Sequence, residues 1–140
     1  MIIKKFFSIL KSLRGDFASF TIVGVGPGDP SLLTIAAVEA INKANVIFFP
    51  VSDDNKKSFS AEIVEKHTKF KKKIPIIFPM ARRDFDPDGI WSMEVEKIVR
   101  FIQKGESVVL LCLGDTSLFA SSSNILRIIK NNHPEIITNT

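Results

Sequence analysis

A chain of 140 residues with 45% hydrophobic side chains is long enough for one domain with its own core, and too apolar to be a disordered segment. Its single cysteine, Cys112, excludes an internal disulfide, no Cys/His spacing fits zinc, and a reducing, cytoplasmic setting is the expectation. The net charge of +4 admits an anionic partner, yet there is no tyrosine and one tryptophan, and the phenylalanines sit mostly in apolar runs. Without aromatics interleaved among basic residues, nucleic acid is not an expected partner. The lysines gathered between Lys56 and Lys73 read either as a solvated face or as an attraction for nucleic acid or a polycarboxylate.

No run is long enough to span a bilayer, so stable membrane insertion is not expected. The start of the chain has an apolar segment broken by Lys11 and followed by Arg14, with no small-residue cleavage site, which argues against a signal peptide. Ile2, Phe6, Ile9, Leu10 and Leu13 share one helical face, with Lys4, Lys5, Lys11 and Arg14 largely off it. Residues 1–19 thus read as an extension, either frayed or packed on the domain, with a membrane-surface helix as the alternative.

From there the pattern alternates. Residues 20–25 form an apolar run expected to be a buried strand. Ser31 is the expected N-cap of a helix reaching Lys43, with Asp29 placed to suit the helix dipole. Residues 45–49 give a second strand closed by Pro50. Ser58 or Ser60 caps a second helix to about Phe70, burying Ile63, with His67 as a further candidate for burial. Residues 74–78 give a third strand, where Pro75 implies an edge or a bulge.

Residues 82–88 read as a polar loop. Residues 90–103 follow as a helix with Trp91, Val95, Ile98, Val99 and Ile102 inward and Gly105 as its stop. Residues 107–113 are nearly all apolar, the mark of a central strand. Residues 117–130 form a last helix burying Leu118, Ile125, Ile128 and Ile129, ended by His133-Pro134. Residues 135–140 begin another strand. Strands alternating with helices through short connections imply an α/β fold: a mostly parallel open sheet with helices on both faces.

Two turns carry the chemistry. Gly24-Val25-Gly26-Pro27-Gly28-Asp29 follows the first strand, and Gly114-Asp115 follows the most apolar one. The glycines let backbone approach a ligand, and the same residues also suit a purely structural turn. A dinucleotide site fits poorly. The spacing is Gly-x-Gly-x-Gly, Asp29 would repel a pyrophosphate, Pro27 removes an amide, and no acid ends the second strand to hold a ribose. Asp115 reads either as a helix cap or as a ligand contact. Two such turns at one sheet edge would line a crevice with backbone and carboxylate, suited to a zwitterionic or cationic ligand. No catalytic acid, base or nucleophile stands out.

The segment from Val23 to Thr34, Val-Gly-Val-Gly-Pro-Gly-Asp-Pro-Ser-Leu-Leu-Thr, resembles the first signature of the S-adenosylmethionine-dependent tetrapyrrole (corrin/porphyrin) methyltransferases. Leu113-Gly114-Asp115-Thr116-Ser117-Leu118-Phe119 is similar to that family's Gly-Asp-Pro motif, with Thr116 in place of proline. Phe49-Pro50-Val51-Ser52, Phe78-Pro79-Met80 and Trp91 look most like the precorrin-2 C20-methyltransferase branch.

The resemblance implies an amino-terminal α/β domain over residues 20–140 of a two-domain fold, with the second domain absent. It implies S-adenosyl-L-methionine as co-substrate and precorrin-2 as substrate, in cobalamin biosynthesis. It implies a homodimer for a full-length member, and little activity for a truncated form. Pro27, Leu113, Gly114, Asp115 and Leu118 match the segments beside the methyl donor. Gly26, Gly28 and Asp29 match the segment beside the tetrapyrrole, although Asp29 also reads as a helix cap. Ser52, Arg82 and Arg83 would lie at the same edge, as carboxylate partners or as solvated side chains. The alternative to an enzyme is a non-enzymatic binding or dimerising remnant of that domain.

Overall fold

The computed structural model describes residues 3, 5–6, 18–26, 28–51, 58–77, 88–112 and 116–139, with side-chain surroundings excepted at 59, 88–91 and 116–121. Five parallel strands form one sheet: β1 (Ser19–Gly24), β2 (Val46–Val51), β3 (Lys72–Ile77), β4 (Val108–Cys112) and β5 (Ile137–Asn139), in the order β3-β2-β4-β1-β5. Between them run α1 (Ile35–Lys43), α2 (Phe59–Ile63), α3 (Asp88–Gln103) and α4 (Thr116–Asn132). β4 is central, as its unbroken apolar run predicts, and all five of its residues are buried.

Strand periodicity divides the core in two. Phe20, Val46, Phe48, Ile76, Val108 and Leu110 point to one face, against Val95, Ile98, Val99 and Ile102 of α3 and Ile125 and Ile129 of α4. Val23, Ile47, Val109 and Leu111 point to the other, against Ala37 and Ile41 of α1 and Ile63 of α2. Each connection is the crossover that a parallel sheet requires, and helices cover both faces as expected. Asn45 aligns the centre: its Oδ1 accepts the Ser107 amide at 2.9 Å, and its own amide donates to the Ser107 carbonyl at 2.9 Å.

Pro75 sits where its missing amide costs nothing. Among the described residues β3 pairs with β2 alone, which puts Pro75 on an edge strand of the sheet. Gly105 stops α3 in a left-handed conformation (φ 86°), its amide donating to the Ile102 carbonyl at 2.9 Å.

Three sequence expectations are corrected. The first helix does not start from Ser31. Pro30–Leu32 form a separate 3₁₀ turn, Leu33 is extended, and Thr34 is the N-cap, its Oγ1 accepting the Ala37 amide at 3.0 Å. Asp29 draws the Ser31 amide into a tight local turn, so the helix restarts at the next hydroxyl residue.

The second helix, though capped by Ser58 as expected, does not reach Phe70. It ends at Ile63 and passes into a 3₁₀ turn at Glu65–His67. The Thr68 hydroxyl donates to the Val64 carbonyl at 3.2 Å and occupies the acceptor that a continuing helix would use. His67 is half-buried, and Phe70 is 100% exposed. The third strand begins at Lys72, two residues earlier than expected, because Lys72 and Lys73 continue the ladder with Val46 and Ile47.

Candidate functional site at the carboxyl edge of β1 and β4

β1 and β4 are neighbours, and their exits diverge. From β1 the chain crosses through α1 towards β2 on one face; from β4 it crosses through α4 to β5 on the other. Where adjacent parallel strands part company in this way, a crevice opens beyond their carboxyl ends. Gly24 is in register with Cys112, and the Val25 amide donates to the Cys112 carbonyl at 2.9 Å. The strand ends that precede the two turns singled out in the sequence therefore lie side by side.

The glycines of the first turn play different parts. Gly26 (φ 78°) and Gly28 (φ 145°) hold conformations that side chains rarely adopt. A Cβ at Gly26 would lie 3.7 Å from the Leu32 carbonyl oxygen, so the 3₁₀ turn closes over it. Gly24 has ordinary φ, and a Cβ there would meet nothing within 4 Å. It follows Phe20 and Ile22 on the α3/α4 side of the strand and is exposed. Bare backbone beside open space at the end of a buried strand is a surface against which a ligand can lie closely. The strand's alternation, read to its last residue, was the signal for Gly24.

Asp29 is fully engaged locally at one oxygen. Its Oδ1 accepts the Ser31 amide at 2.9 Å and the Ser31 hydroxyl at 2.8 Å. The backbone hydrogen bond first, and the hydroxyl second, hold its carboxyl below the ordinary value, against a small opposing effect of desolvation. Asp29 thus caps the Pro30–Leu32 3₁₀ turn, not the helix that the sequence suggested. Leu32 (57% exposed) and Ile35 (79% exposed) give the same edge an apolar rim that sequence periodicity did not flag.

Gly26, Gly28 and Asp29 lie together in the described turn. Leu118 lies in the first turns of α4, which starts three residues beyond β4. Pro27, Ser52, Arg82, Arg83, Leu113, Gly114 and Asp115 lie outside the described residues. Among the described residues no group of His, Cys, Asp and Glu is arranged to hold a metal ion. A groove of about 750 Å³ lies elsewhere: Ser19, Thr21, Glu39, Lys43, Asn45, Ser107 and others line it at the amino edge. It is kept apart from the crevice by the length of the strands.

The sequence profile of the Tetrapyrrole (Corrin/Porphyrin) Methylases matches residues 19–139, which takes in all five strands and both turns. The chain belongs to this family. A relative in Methanocaldococcus jannaschii, named as a probable cobalt-precorrin-2 C(20)-methyltransferase, is 33% identical over 114 residues, covering 81% of this chain and 48% of its own length. The uroporphyrinogen-III C-methyltransferase of Bacillus subtilis is 38% identical over 102 residues, covering 70% of this chain and 34% of its own.

The fold of the tetrapyrrole methylase seen here is shared with a solved Corynebacterium diphtheriae protein described as related to cobalamin synthesis. The TM-score is 0.66 at 17% identity, covering 88% of this chain and 51% of the other. This tetrapyrrole methylase chain spans about half the length, or less, of the curated relatives it matches.

Proposed function

We propose that residues 20–140 are the amino-terminal domain of an S-adenosyl-L-methionine-dependent methyltransferase acting on a tetrapyrrole, with residues 1–19 as an extension. The observation that supports this reading is the register of Gly24 with Cys112, the neighbouring strand ends that precede the two family motifs. In this reading the crevice takes the donor along Pro27 and along Leu113, Gly114, Asp115 and Leu118. Gly26, Gly28, Asp29, Ser52, Arg82 and Arg83 face the tetrapyrrole. The exposed backbone at Gly24 and the scarcity of ionisable groups among the described crevice residues fit a zwitterionic sulfonium compound better than a phosphate.

The donor supplies an activated methyl group when bound. The chain's residues bind and orient, and catalysis comes from proximity and alignment rather than from an acid or base. The finer assignment is C20 methylation of precorrin-2, a step of cobalamin biosynthesis, by a cytoplasmic protein whose full-length form is a homodimer. The Methanocaldococcus jannaschii relative supports C20, while other matched relatives act at other positions.

The other half of the cleft lies in a second domain, and this chain alone transfers little methyl. The test incubates precorrin-2 and S-adenosylmethionine with the 140-residue chain, alone and joined to the second half of a relative, and follows the product by mass spectrometry and NMR. Robust turnover by the chain alone would sink the divided cleft, and a methyl at another carbon would sink the C20 assignment.

A second reading rests on Leu32 and Ile35, whose exposure suits a non-enzymatic dimerising remnant. Sedimentation that stays monomeric across a wide concentration range would remove it.

A further inference from the structure

The amino edge of the sheet, opposite the crevice, carries a different chemistry. Thr68 is fully buried, and the Lys71 amide donates to its carbonyl at 3.1 Å, closing a turn whose two tip residues are Lys69 and Phe70. Phe70 is 100% exposed. The turn is anchored on both sides. Thr68 Oγ1 donates to the Val64 carbonyl, and Lys71 Nζ donates to the carbonyls of Asn42 and Ala44 at the end of α1. The tip is therefore presented by fixed backbone.

Around it stand cations. Lys66, Lys69, Lys72 and Lys73 are exposed, and Lys72 and Lys104 both sit over the Phe101 ring, 4.9 and 5.5 Å from its centre. That ring draws the end of α3 and the start of β3 into one basic strip. The acidic side chains nearest in sequence, Glu65 and Glu106, are fewer. The chain enters β1 at Ser19 on this same edge, three strand spacings (roughly 14 Å) from β3. Before it lie exposed Ile3 and Phe6 in helical conformation, with Lys4 and Lys5 beside them in sequence.

From this arrangement we infer that the amino edge is a docking surface for an anionic lipid bilayer, with Phe70 entering the interface and the lysines lying over the headgroups. An apolar side chain ringed by cations matches the two layers of such a surface. One aromatic is a weak anchor alone. The charged strip supplies the further attraction that adsorption to an anionic surface needs. A single-stranded nucleic acid would ask for successive stacking platforms, and Phe101 already has two ammonium groups over it. Docking at this edge leaves the β1–β4 crevice facing away from the bilayer.

The test is co-sedimentation of the full chain with vesicles of phosphatidylcholine alone and of equimolar phosphatidylglycerol and phosphatidylcholine. Binding is expected to the anionic vesicles only, and to weaken as salt rises. Phe70→Ser, a change at a fully exposed position, should lower the partition coefficient several-fold. Lys69→Glu and Lys73→Glu should lower it by about fivefold or more each. Sedimentation with neutral vesicles to the same extent, or variants that bind like the parent, would overturn the inference. So would tight binding to a single-stranded oligonucleotide with none to vesicles.

Discussion

The Val25 amide reaches the Cys112 carbonyl one residue beyond the last paired rung, Gly24 with Cys112. The ladder between β1 and β4 thus runs right up to the crevice, and the backbone under the proposed donor site is as firmly held as the core. Gly24, exposed and with open space where a Cβ would be, is where that backbone would meet a ligand in the proposed reading. Replacing Gly24 with Ala should leave urea stability unchanged or raise it by up to about 1 kcal/mol, since glycine weakens a strand. In the two-domain context, Gly24→Val should weaken S-adenosylhomocysteine binding at least tenfold, on the order of 1.4 kcal/mol. Unchanged affinity by calorimetry would show that the ligand does not lie along Gly24.

Gly26→Ala should behave in the opposite way. Its φ of 78° imposes left-handed strain on any side chain, and the expected loss is about 1–2 kcal/mol in urea unfolding. A midpoint equal to that of Gly24→Ala would contradict the distinction between the two positions.

The Asp29 cap should depend on pH in one direction. Its carboxyl titrates below the ordinary value because the ionised form is the better acceptor for Ser31. The contribution is therefore fully present above the unfolded value and is lost as pH falls through the lower folded one. Following the Asp29 side-chain carbon and the Ser31 amide by NMR should show both moving together, below the usual aspartate range. Asp29→Asn should keep the turn at acid pH and abolish that titration. A Ser31 amide that shifts with an unperturbed aspartate midpoint would exclude the cap as the cause.

Lys71 ties two distant elements, its ammonium group donating to carbonyls at the end of α1 from the start of β3. Lys71→Met keeps the stem and removes the donors, and should cost about 1–2 kcal/mol. Faster hydrogen exchange confined to the last turn of α1 would accompany it; uniform exchange across the sheet would point to another cause.

Ser122 is buried in α4, and its hydroxyl has no hydrogen-bond partner among the described residues. Ser122→Ala removes an unsatisfied group and improves helix propensity, so stability should rise by about 0.5–1.5 kcal/mol. A loss of stability would show that the hydroxyl has a partner in solution.

What the sequence revealed, and what it withheld, follows from the range of each interaction. The run from Val108 to Cys112 is apolar at every position, and only a strand buried on both faces reads that way, so the central place of β4 was legible. Pro75 announced its own edge. The α/β class followed from alternation, and the neighbourly glycine turns followed from the class.

The end of α2 was not legible, because Thr68 decides it through a side-chain hydrogen bond that competes with a sound helical pattern. Phe70 reads as core by residue type, and only its seat at a turn tip makes it surface. Lys71 looks like one more solvated lysine, yet its partners lie 29 and 27 residues away. Of the site, the turns were visible as motifs. Which glycine is bent and which merely bare was a matter of φ, which composition does not carry.

The strand order has a consequence for synthesis. β1 is made first, but both of its sheet partners, β4 and β5, come from residues 108–139. β2 and β3 can pair as soon as Ile77 has emerged, whereas β1 must wait for nearly the whole chain. The crevice therefore takes shape late on the ribosome, since long-range parallel pairing comes late. During that interval Phe20, Ile22 and Val23 have no sheet to join, and a holding chaperone would find its target in those residues, next to the turn proposed to line the donor site.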